Sequence, residues 1–174
     1  MSFRQLLPTE KGVYAVEFYL PQDQYIQIGR LGAATFPAGS YLYLGSAQGA
    51  GGVRSRLGRH LKHLQSQKTR WHIDYFHRHA QPRAWCFLLG APRTGAPLEC
   101  RWSQAVWKTP GASVPMQGFG ASDCRYACPA HFFAICNEIT GEAPLLSQTA
   151  WLTVLAEAAS VSLYRLEVGF PTNL

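Results

Sequence analysis

The fold is decided by the stretch Ser40-Tyr41-Leu42-Tyr43-Leu44-Gly45, and the sequence changes its pattern directly after it. Alternation of tyrosine and leucine predicts a β-strand with its tyrosines on one face and its leucines on the other. A glycine-rich loop follows at residues 45–52. The period then becomes helical, with apolar residues at Val53, Leu57, Leu61 and Leu64. The sequence therefore predicts a strand, a loop and an amphipathic helix in succession.

Further strands are predicted on both sides of this segment. Residues 12–20 are rich in β-branched and aromatic side chains, and residues 25–29 alternate after a turn, so these two segments are expected to form a hairpin. Buried strands are also expected at residues 84–89 and 131–136. Residues 109–130 are rich in Gly, Pro and Ser and are expected to be a loop.

Three more helices are expected after the first one. They are a short helix at 71–79, a helix opened by Pro97 with an apolar stripe that includes Leu98 and Trp102, and a helix at 149–159. Strands that come first and helices that pack on the resulting sheet predict an α+β fold.

The length of 174 residues fits a single domain, and 47% hydrophobic with 15% charged residues indicates a folded core. We expect residues 1–142 to form this domain and residues 143–174 to form a C-terminal helical extension that packs on it. The sequence has no predominantly apolar run of about 20 residues that would predict a membrane helix. Its first residues lack the apolar run of a secretory signal. Five cysteines, an odd number, agree with a reducing compartment, so a cytoplasmic protein is expected.

Positive charge is concentrated in one segment of the chain. The formal net charge is +6, and eight of the sixteen Lys and Arg residues lie between Arg54 and Arg83, where Asp74 is the only acidic residue. Such a basic segment favours a polyanionic partner, most often nucleic acid. Many basic proteins bind no anion, and charge alone leaves both interpretations open.

The helix predicted after the glycine-rich loop carries the candidate phosphate ligands. Arg56 and His60 are four residues apart and share a face that borders the leucine stripe, with His63 beside them. A guanidinium at the edge of an apolar stripe can hold a phosphate with two hydrogen bonds. The other basic residues of this segment suit non-specific contacts to a nucleic-acid backbone: Arg54, Arg59 and Lys62. The alternative is an ordinary solvated basic face.

Three further residues have two interpretations each. Tyr14 and Tyr43 occupy similar positions on two predicted strands, where a tyrosine is most often a core aromatic with a satisfied hydroxyl. Glu99 falls in the first turn of a predicted helix, where a carboxylate interacts favourably with the helix dipole. Taken alone, each residue is better explained by structure than by catalysis.

Cys124, Cys128 and His131 have the spacing Cys-x3-Cys-x2-His, with Cys100 as a distant fourth candidate ligand. Structural zinc sites usually have more tightly paired ligands and a complete set of four. The spacing therefore disfavours zinc, and buried thiols near a functional loop are the favoured interpretation. A zinc-stabilised interaction domain built on these residues stays an alternative.

The order of short motifs along the chain is more specific than any one of them. It runs through Gly12-Val13-Tyr14, Tyr43-Leu44-Gly45-Ser46-Ala47, Arg56-Leu57-Gly58-Arg59-His60 and Glu99, and it resembles the GIY-YIG nuclease superfamily. A prokaryotic subfamily, which also occurs fused to endonuclease III, is resembled by Arg70-Trp71-His72-Ile73-Asp74-Tyr75 and Gly118-Phe119-Gly120-Ala121-Ser122-Asp123-Cys124.

The resemblance implies a small three-stranded antiparallel sheet flanked by helices. It also implies hydrolysis of a nucleic-acid phosphodiester with one divalent metal ion, Mg²⁺ or Mn²⁺. Tyr14 would position or deprotonate the attacking water with support from Tyr43. Arg56 would hold the scissile phosphate with help from His60, and Glu99 would ligate the metal. Contacts to the nucleic acid are expected from Ser46, Arg54, Arg59, Lys62, His63 and Arg70.

The chain departs from the superfamily pattern in two places. Val13 and Leu44 replace the isoleucines of the motif name, and both changes are conservative. The superfamily often has a late asparagine near the active site, for which Asn137 is the nearest candidate by order. An additional candidate site in the same cleft comprises Ser122, Asp123 and His131.

We therefore expect a metal-dependent endonuclease that hydrolyses DNA, in repair or in the processing of foreign or structured DNA. The alternative is a catalytically silent nucleic-acid-binding module. Retention of Tyr14, Tyr43, Arg56 and Glu99 favours the enzyme, because binding alone needs only the basic helix. The partner would be nucleic acid, most often DNA, and the protein would be a monomer or homodimer that does not bind membranes.

Overall fold

The structure is a computed structural model that describes residues 7–62, 69–90, 95–136, 150–160 and 167–169. Its strands are β1 Gly12–Leu20, β2 Gln24–Gln27, β3 Ala33–Phe36, β4 Gly39–Ala47, β5 Gln81–Leu89, β6 Phe132–Cys136 and β7 Glu167–Gly169. Its helices are α1 Gly52–His60, α2 His72–His77, α3 Leu98–Trp107 and α4 Ala150–Ala159. This arrangement confirms the predicted α+β fold with a central antiparallel sheet flanked by helices.

β1 is the central strand of the main sheet, which has the order β6-β4-β1-β5-β7 among the described residues. It pairs antiparallel with β4 on one edge and with β5 on the other. The expected hairpin between residues 12–20 and 25–29 is wrong, because β2 pairs with β3 in a separate two-stranded sheet. β1 is buried along almost its whole length, so it takes a nine-residue neighbour on each edge, whereas β2 is short and half exposed.

The main sheet is wider than the three strands that the resemblance implies. β4, β1 and β5 form its centre, and β6 and β7 extend it at the two edges. β6 lies where a strand was predicted. β7 was not predicted, because its three residues carry too short a pattern to identify a strand; it pairs with β5, with Val168 opposite Cys86.

The sheet separates two hydrophobic cores. Tyr14 and Phe18 of β1 belong to the core that includes residues of α1 and α2, which we call the α1–α2 side. Val13 and Ala15 belong to the core that includes residues of α3 and α4, which we call the α3–α4 side. Consecutive residues of β1 thus pack against different helices, as the twofold period of a strand requires.

β4 shows the alternation predicted from its sequence. Tyr41 and Tyr43 pack on the α1–α2 side, and Leu42 and Leu44 pack on the α3–α4 side. The prediction of opposite faces for tyrosine and leucine is therefore confirmed. Because Tyr43 lies near the end of β4, its face of the strand leads directly to the loop before α1.

α1 begins at Gly52, where only glycine fits. A Cβ atom on Gly52 would lie 2.0 Å from the carbonyl oxygen of Glu10, and its φ of +50° disfavours other residues. The helix ends at His60 with Leu61 as its C-cap, earlier than the predicted end at Leu64, which lies outside the described residues. α2 is likewise shorter than the predicted helix at 71–79.

The described C-terminal elements pack on the rest of the fold. Trp102 on α3 donates a hydrogen bond from Nε1 to the backbone oxygen of Leu155 on α4, at 2.9 Å. Trp151 on α4 donates from Nε1 to Oε2 of Glu17 on β1, at 3.0 Å. None of the described helices is both long and apolar enough to cross a membrane.

Candidate active site

A cleft of about 470 Å³ opens where β4 leads into the loop before α1. The start of α3 and the loop before β6 complete its lining. The cleft brings together eight of the residues that the sequence singled out: Tyr43, Ser46, Arg56, Glu99, Cys100, Asp123, Cys124 and His131. These residues come from distant parts of the chain, so their convergence depends on the fold and not on any one motif.

Arg56 is the half-buried cation of the cleft. Its guanidinium carbon lies 4.4 Å from the centre of the Trp71 ring, a distance at which a cation and an aromatic ring attract each other. It forms no salt bridge with any described residue, since the one described salt bridge joins Arg59 to Asp74. Arg56 therefore has a fixed position while its hydrogen-bond donors remain available for a ligand.

Trp71 was not a predicted site residue, although its Arg-Trp-His-Ile-Asp-Tyr motif points to it. Asp74 of that motif fixes the backbone at Trp71. Its Oδ2 accepts hydrogen bonds from the backbone N–H of Arg70 at 2.7 Å and of Trp71 at 3.0 Å. Arg59 donates to the same oxygen at 2.6 Å. The next residue, His72, accepts a hydrogen bond at Nδ1 from the backbone N–H of Gly120 at 3.1 Å.

Tyr14 and His60 form a buried pair behind Tyr43. The Tyr14 hydroxyl lies 2.9 Å from Nε2 of His60, and both side chains are at most 1% exposed. The rings of Tyr14 and Tyr43 lie 6.3 Å apart. Only Tyr43 lines the cleft, whereas the resemblance gave the water-contacting role to Tyr14.

Burial controls the protonation of these three groups. It raises the pKa of Tyr43 to about 12 and the pKa of Tyr14 well above its usual value of 10, and the charge of Arg56 partly offsets both shifts. Burial also lowers the pKa of His60 well below 6.5. His60 is therefore neutral at physiological pH and can hydrogen-bond Tyr14 without adding a buried charge.

Gly45 is required by the close approach of Tyr14. A Cβ atom at position 45 would lie 2.4 Å from the Cζ atom of the Tyr14 ring, which leaves no space for any other residue. The two residues face each other across β1 and β4. The glycine of the second motif is thus explained by the tyrosine of the first.

Two carboxylates share the cleft. Glu99 is the second residue of α3 and is half-buried, and Asp123 is exposed on the loop that follows α3. Neither forms a salt bridge with a described residue. Carboxylate oxygens are the ligands that Mg²⁺ and Mn²⁺ prefer, and Mg²⁺ commonly keeps several waters beside one or two of them. The donor set therefore fits a divalent cation.

The predicted nucleic-acid contacts fall into two groups. Lys62 and Arg70 are exposed, and Ser46 lines the cleft. Two basic residues of α1 have partners within the protein, since Arg59 is paired with Asp74 and Arg54 donates from Nε to the backbone oxygen of Leu7 at 2.6 Å. His63 and the late Asn137 lie outside the described residues. Ser122 is exposed and does not line the cleft.

Three cysteines and a histidine meet at one edge of the cleft. Cys100 Sγ lies 3.6 Å from Cys124 Sγ and 3.8 Å from Nε2 of His131, and Cys128 completes the group. Burial raises the pKa of the Cys100 thiol and lowers the pKa of His131. Cys100 is distant in sequence from the other three residues, and its position at the start of α3 places it next to them in space.

Comparison with known proteins identifies the family. The sequence matches the family described as Domain of unknown function DUF123 over residues 13–149. The chain belongs to this family. The DUF123 match spans β1 to β6 and includes every residue that lines the cleft. No curated protein and no solved structure matches the chain.

Proposed function

We propose that this DUF123 chain is a GIY-YIG-type endonuclease that hydrolyses phosphodiester bonds in DNA with the help of a divalent cation. One observation carries the proposal: Arg56, which has no salt-bridge partner among the described residues, shares a cleft with Tyr43 and Glu99. These three groups are a phosphate-binding cation, a hydroxyl that can position water and a carboxylate that can hold a metal ion. Each of these functions can contribute to hydrolysis of a phosphodiester.

Arg56 holds the scissile phosphate in this proposal. A guanidinium binds two phosphate oxygens at once, which fixes the phosphate and stabilises the charge that develops on it. The Trp71 ring at 4.4 Å restricts the guanidinium to one position, so less conformational entropy is lost when the phosphate binds.

Tyr43 positions the attacking water: its protonated hydroxyl accepts a hydrogen bond from the water, whose proton passes to bulk solvent. Burial raises the pKa of Tyr43 to about 12 even though the positive charge of Arg56 lowers it, so the hydroxyl is protonated at neutral pH. Tyr14 and His60 support Tyr43 from the core. This assignment exchanges the roles that the resemblance implies for the two tyrosines, because Tyr14 does not line the cleft.

Glu99 and Asp123 hold the divalent cation, either Mg²⁺ or Mn²⁺. The bound ion supplies electrostatic stabilisation to the phosphate oxygens and to the leaving oxygen. The exposed Lys62 and Arg70 contact the phosphates on either side of the scissile bond and contribute affinity that decreases with salt.

The test is cleavage of labelled single-stranded, duplex and branched DNA with Mg²⁺ by the full chain. We expect cleavage by the wild type, inhibition by EDTA and a loss of about 10²-fold or more for Arg56→Ala and for Glu99→Gln. Matched controls are Arg78→Ala and Glu157→Gln, which remove the same charges from exposed positions that do not line the cleft. These two variants should stay within about twofold of the wild type.

Two results would contradict the proposal. Salt-dependent DNA binding without cleavage of any substrate would replace it with the nucleic-acid-binding module. Cleavage that survives both Arg56→Ala and Glu99→Gln would show that the cleft is not the active site.

A further inference from the structure

Four metal-binding side chains from separate parts of the chain meet beside the cleft. Cys100 comes from the first turn of α3, Cys124 and Cys128 from the loop that follows α3, and His131 from the residue before β6. Their ligand atoms all lie within 4.8 Å of one another. This set, which we call the Cys3His cluster, contains none of the residues assigned above to phosphodiester hydrolysis.

The spacing of these atoms fits a single tetrahedral ion. Zinc lies about 2.3 Å from a thiolate sulfur and about 2.0 Å from an imidazole nitrogen, so the ligand atoms of a tetrahedral site are about 3.5–3.8 Å apart. Cys100 Sγ is 3.6 Å from Cys124 Sγ and 3.8 Å from His131 Nε2. Since all four ligand atoms lie within 4.8 Å of one another, no separation has to shorten by more than about 1 Å.

The chemistry of the set selects zinc. Three thiolates and an imidazole are soft and borderline ligands, which Mg²⁺ and Mn²⁺ do not favour and Zn²⁺ does. A complete set of four protein ligands leaves no open position for water or substrate, so the ion has a structural role. The backbone N–H of Tyr126 lies 3.4 Å from Cys124 Sγ and stabilises the negative sulfur as outer hydrogen bonds do in metal sites.

The part of the loop between Cys124 and Cys128 is its most exposed part. Between α3 and β6 the loop forms no helix or strand, and its residues 125–127 are exposed. Ala127, directly before Cys128, has a φ of +54°, a left-handed conformation that a residue with a Cβ rarely adopts. A metal bond at Cys124 and Cys128 stabilises this turn.

We propose that Cys100, Cys124, Cys128 and His131 bind one structural Zn²⁺ ion that fastens the loop to the start of α3. Binding removes a proton from each of the three thiols, so one Zn²⁺ replaces three H⁺ and the site has a net charge of −1. The sequence had disfavoured zinc because the local set lacked a fourth ligand, and the fold provides it in Cys100.

The proposed zinc ion has a consequence for the cleft. Cys100 directly follows Glu99, and Cys124 directly follows Asp123. One ion that binds both cysteines therefore fixes the two cleft carboxylates relative to each other. The zinc orders the place where the divalent cation of the proposed nuclease would bind, without taking part in the reaction.

The first test is metal analysis of the full-length protein, purified without chelators and dialysed against zinc-free buffer. We expect about one zinc per chain. After replacement of zinc with Co²⁺, the intense visible absorption of tetrahedral cobalt and a near-ultraviolet thiolate-to-cobalt band should appear. A chain that holds no zinc and gives only the weak absorption of octahedral cobalt would overturn the proposal.

Variants then assign the ligands. Cys100→Ser and Cys128→Ser should reduce the zinc content to below about one tenth per chain, whereas the matched control Cys86→Ala, a buried cysteine of β5, should retain the metal. Because a ligand variant can fail to fold, the wild type is also stripped of zinc with a chelator. Its melting temperature should fall and return on addition of Zn²⁺ but not of Mg²⁺.

An unchanged melting temperature after zinc removal, or full zinc content in both serine variants, would contradict the assignment. Metal content is measured without DNA, so the result does not depend on whether the chain is a nuclease. If the chain loses its zinc but still cleaves DNA normally, the proposed zinc site still stands. Only the proposed effect of zinc on the two carboxylates would then be disproved.

Discussion

The two sides of the sheet bury different chemistry. On the α1–α2 side, an aromatic core surrounds the polar groups of Tyr14, His60 and Asp74. On the α3–α4 side, the core is mostly aliphatic with two tryptophans, and its buried carboxylate, Glu17, accepts hydrogen bonds at both oxygens from Ser40 and Trp151. His60 Nδ1 and Asp74 Oδ1, by contrast, are buried and have no hydrogen-bond partner among the described residues.

This difference indicates that the α1–α2 side contributes less to stability than the α3–α4 side. Each buried polar atom without a partner costs about 1–3 kcal/mol. A side that carried stability alone would not keep such atoms, and they lie next to Tyr43 and Trp71, which line the cleft. We infer that the α3–α4 side stabilises the fold and that the α1–α2 side is adapted to the cleft.

The largest expected effect is on the α3–α4 side. Trp102→Ala should lower the free energy of unfolding by about 3–5 kcal/mol, because it empties a fully buried site and removes the hydrogen bond to Leu155. Urea unfolding measures this loss. Trp107→Ala on the same helix is the matched control, since Trp107 is 51% exposed and its loss should change stability by less than about 0.5 kcal/mol. Equal losses for both variants would show that the burial of Trp102 does not stabilise the α3–α4 side.

The next effect is on the α1–α2 side. Asp74→Asn should lower stability by about 3 kcal/mol, because it leaves Arg59 without its buried partner. It should also weaken DNA binding, since the backbone N–H groups of Arg70 and Trp71 lose a charged acceptor. Chemical unfolding and a DNA titration measure the two quantities. Glu157→Gln, an exposed charge on α4, should change neither of them.

The two tyrosines should separate activity from stability. Tyr43→Phe should reduce DNA cleavage by about 10²-fold, because it removes the hydroxyl that lines the cleft. Tyr14→Phe should reduce cleavage by about tenfold or less and lower stability by about 1 kcal/mol, because Nε2 of His60 loses its partner. Cleavage rates and unfolding curves of the two variants test this order. The reverse order of activities would return the water-contacting role to Tyr14.

The smallest effects are opposite pH dependences of the two sides. Burial lowers the pKa of His60 below 6.5, so the unfolded chain binds the proton more readily and stability falls as pH drops below that value. Burial raises the pKa of Glu17 above 4.5, so the folded chain binds the proton more readily and stability falls as pH rises above 4.5.

Unfolding free energies of His60→Gln and Glu17→Gln, measured against the wild type from pH 4 to 8 in about half-unit steps, isolate the two contributions. His60→Gln should gain on the wild type as the pH falls, and Glu17→Gln should gain as the pH rises. Parallel curves for either variant would show that the buried group does not titrate differently in the two states.

Local features of the fold could be predicted from the sequence because they depend on the periodicity of apolar residues and on the residues that begin a helix. The alternation of Tyr41 to Leu44, the helix after Gly51 and the helix after Pro97 each follow from a few neighbouring residues. Strand pairing could not be predicted in the same way, because the partners of β1 are set by burial on both faces. The expected β1–β2 hairpin was wrong for this reason.

The candidate site was predicted residue by residue but not as an arrangement. Tyr43, Arg56 and Glu99 were named from motif order, and the cleft contains all three. Trp71 beneath Arg56 was missed, because a tryptophan has no chemistry of its own that marks a site. Cys100 was named from the sequence as a distant fourth ligand, but its distance from Cys124 could not be predicted, since contacts between distant residues leave no periodic pattern.

Trp71 and His72 are neighbours in the chain whose side chains contact two different parts of the cleft lining, Arg56 and Gly120. Trp71 lies under Arg56, and His72 accepts the hydrogen bond from Gly120 in the loop that carries Asp123. A single peptide unit therefore links the residue that contacts Arg56 to the residue that contacts the loop with Asp123. The two contacts thus hold Arg56 and the loop with Asp123 at a defined separation, which sets the width of the cleft.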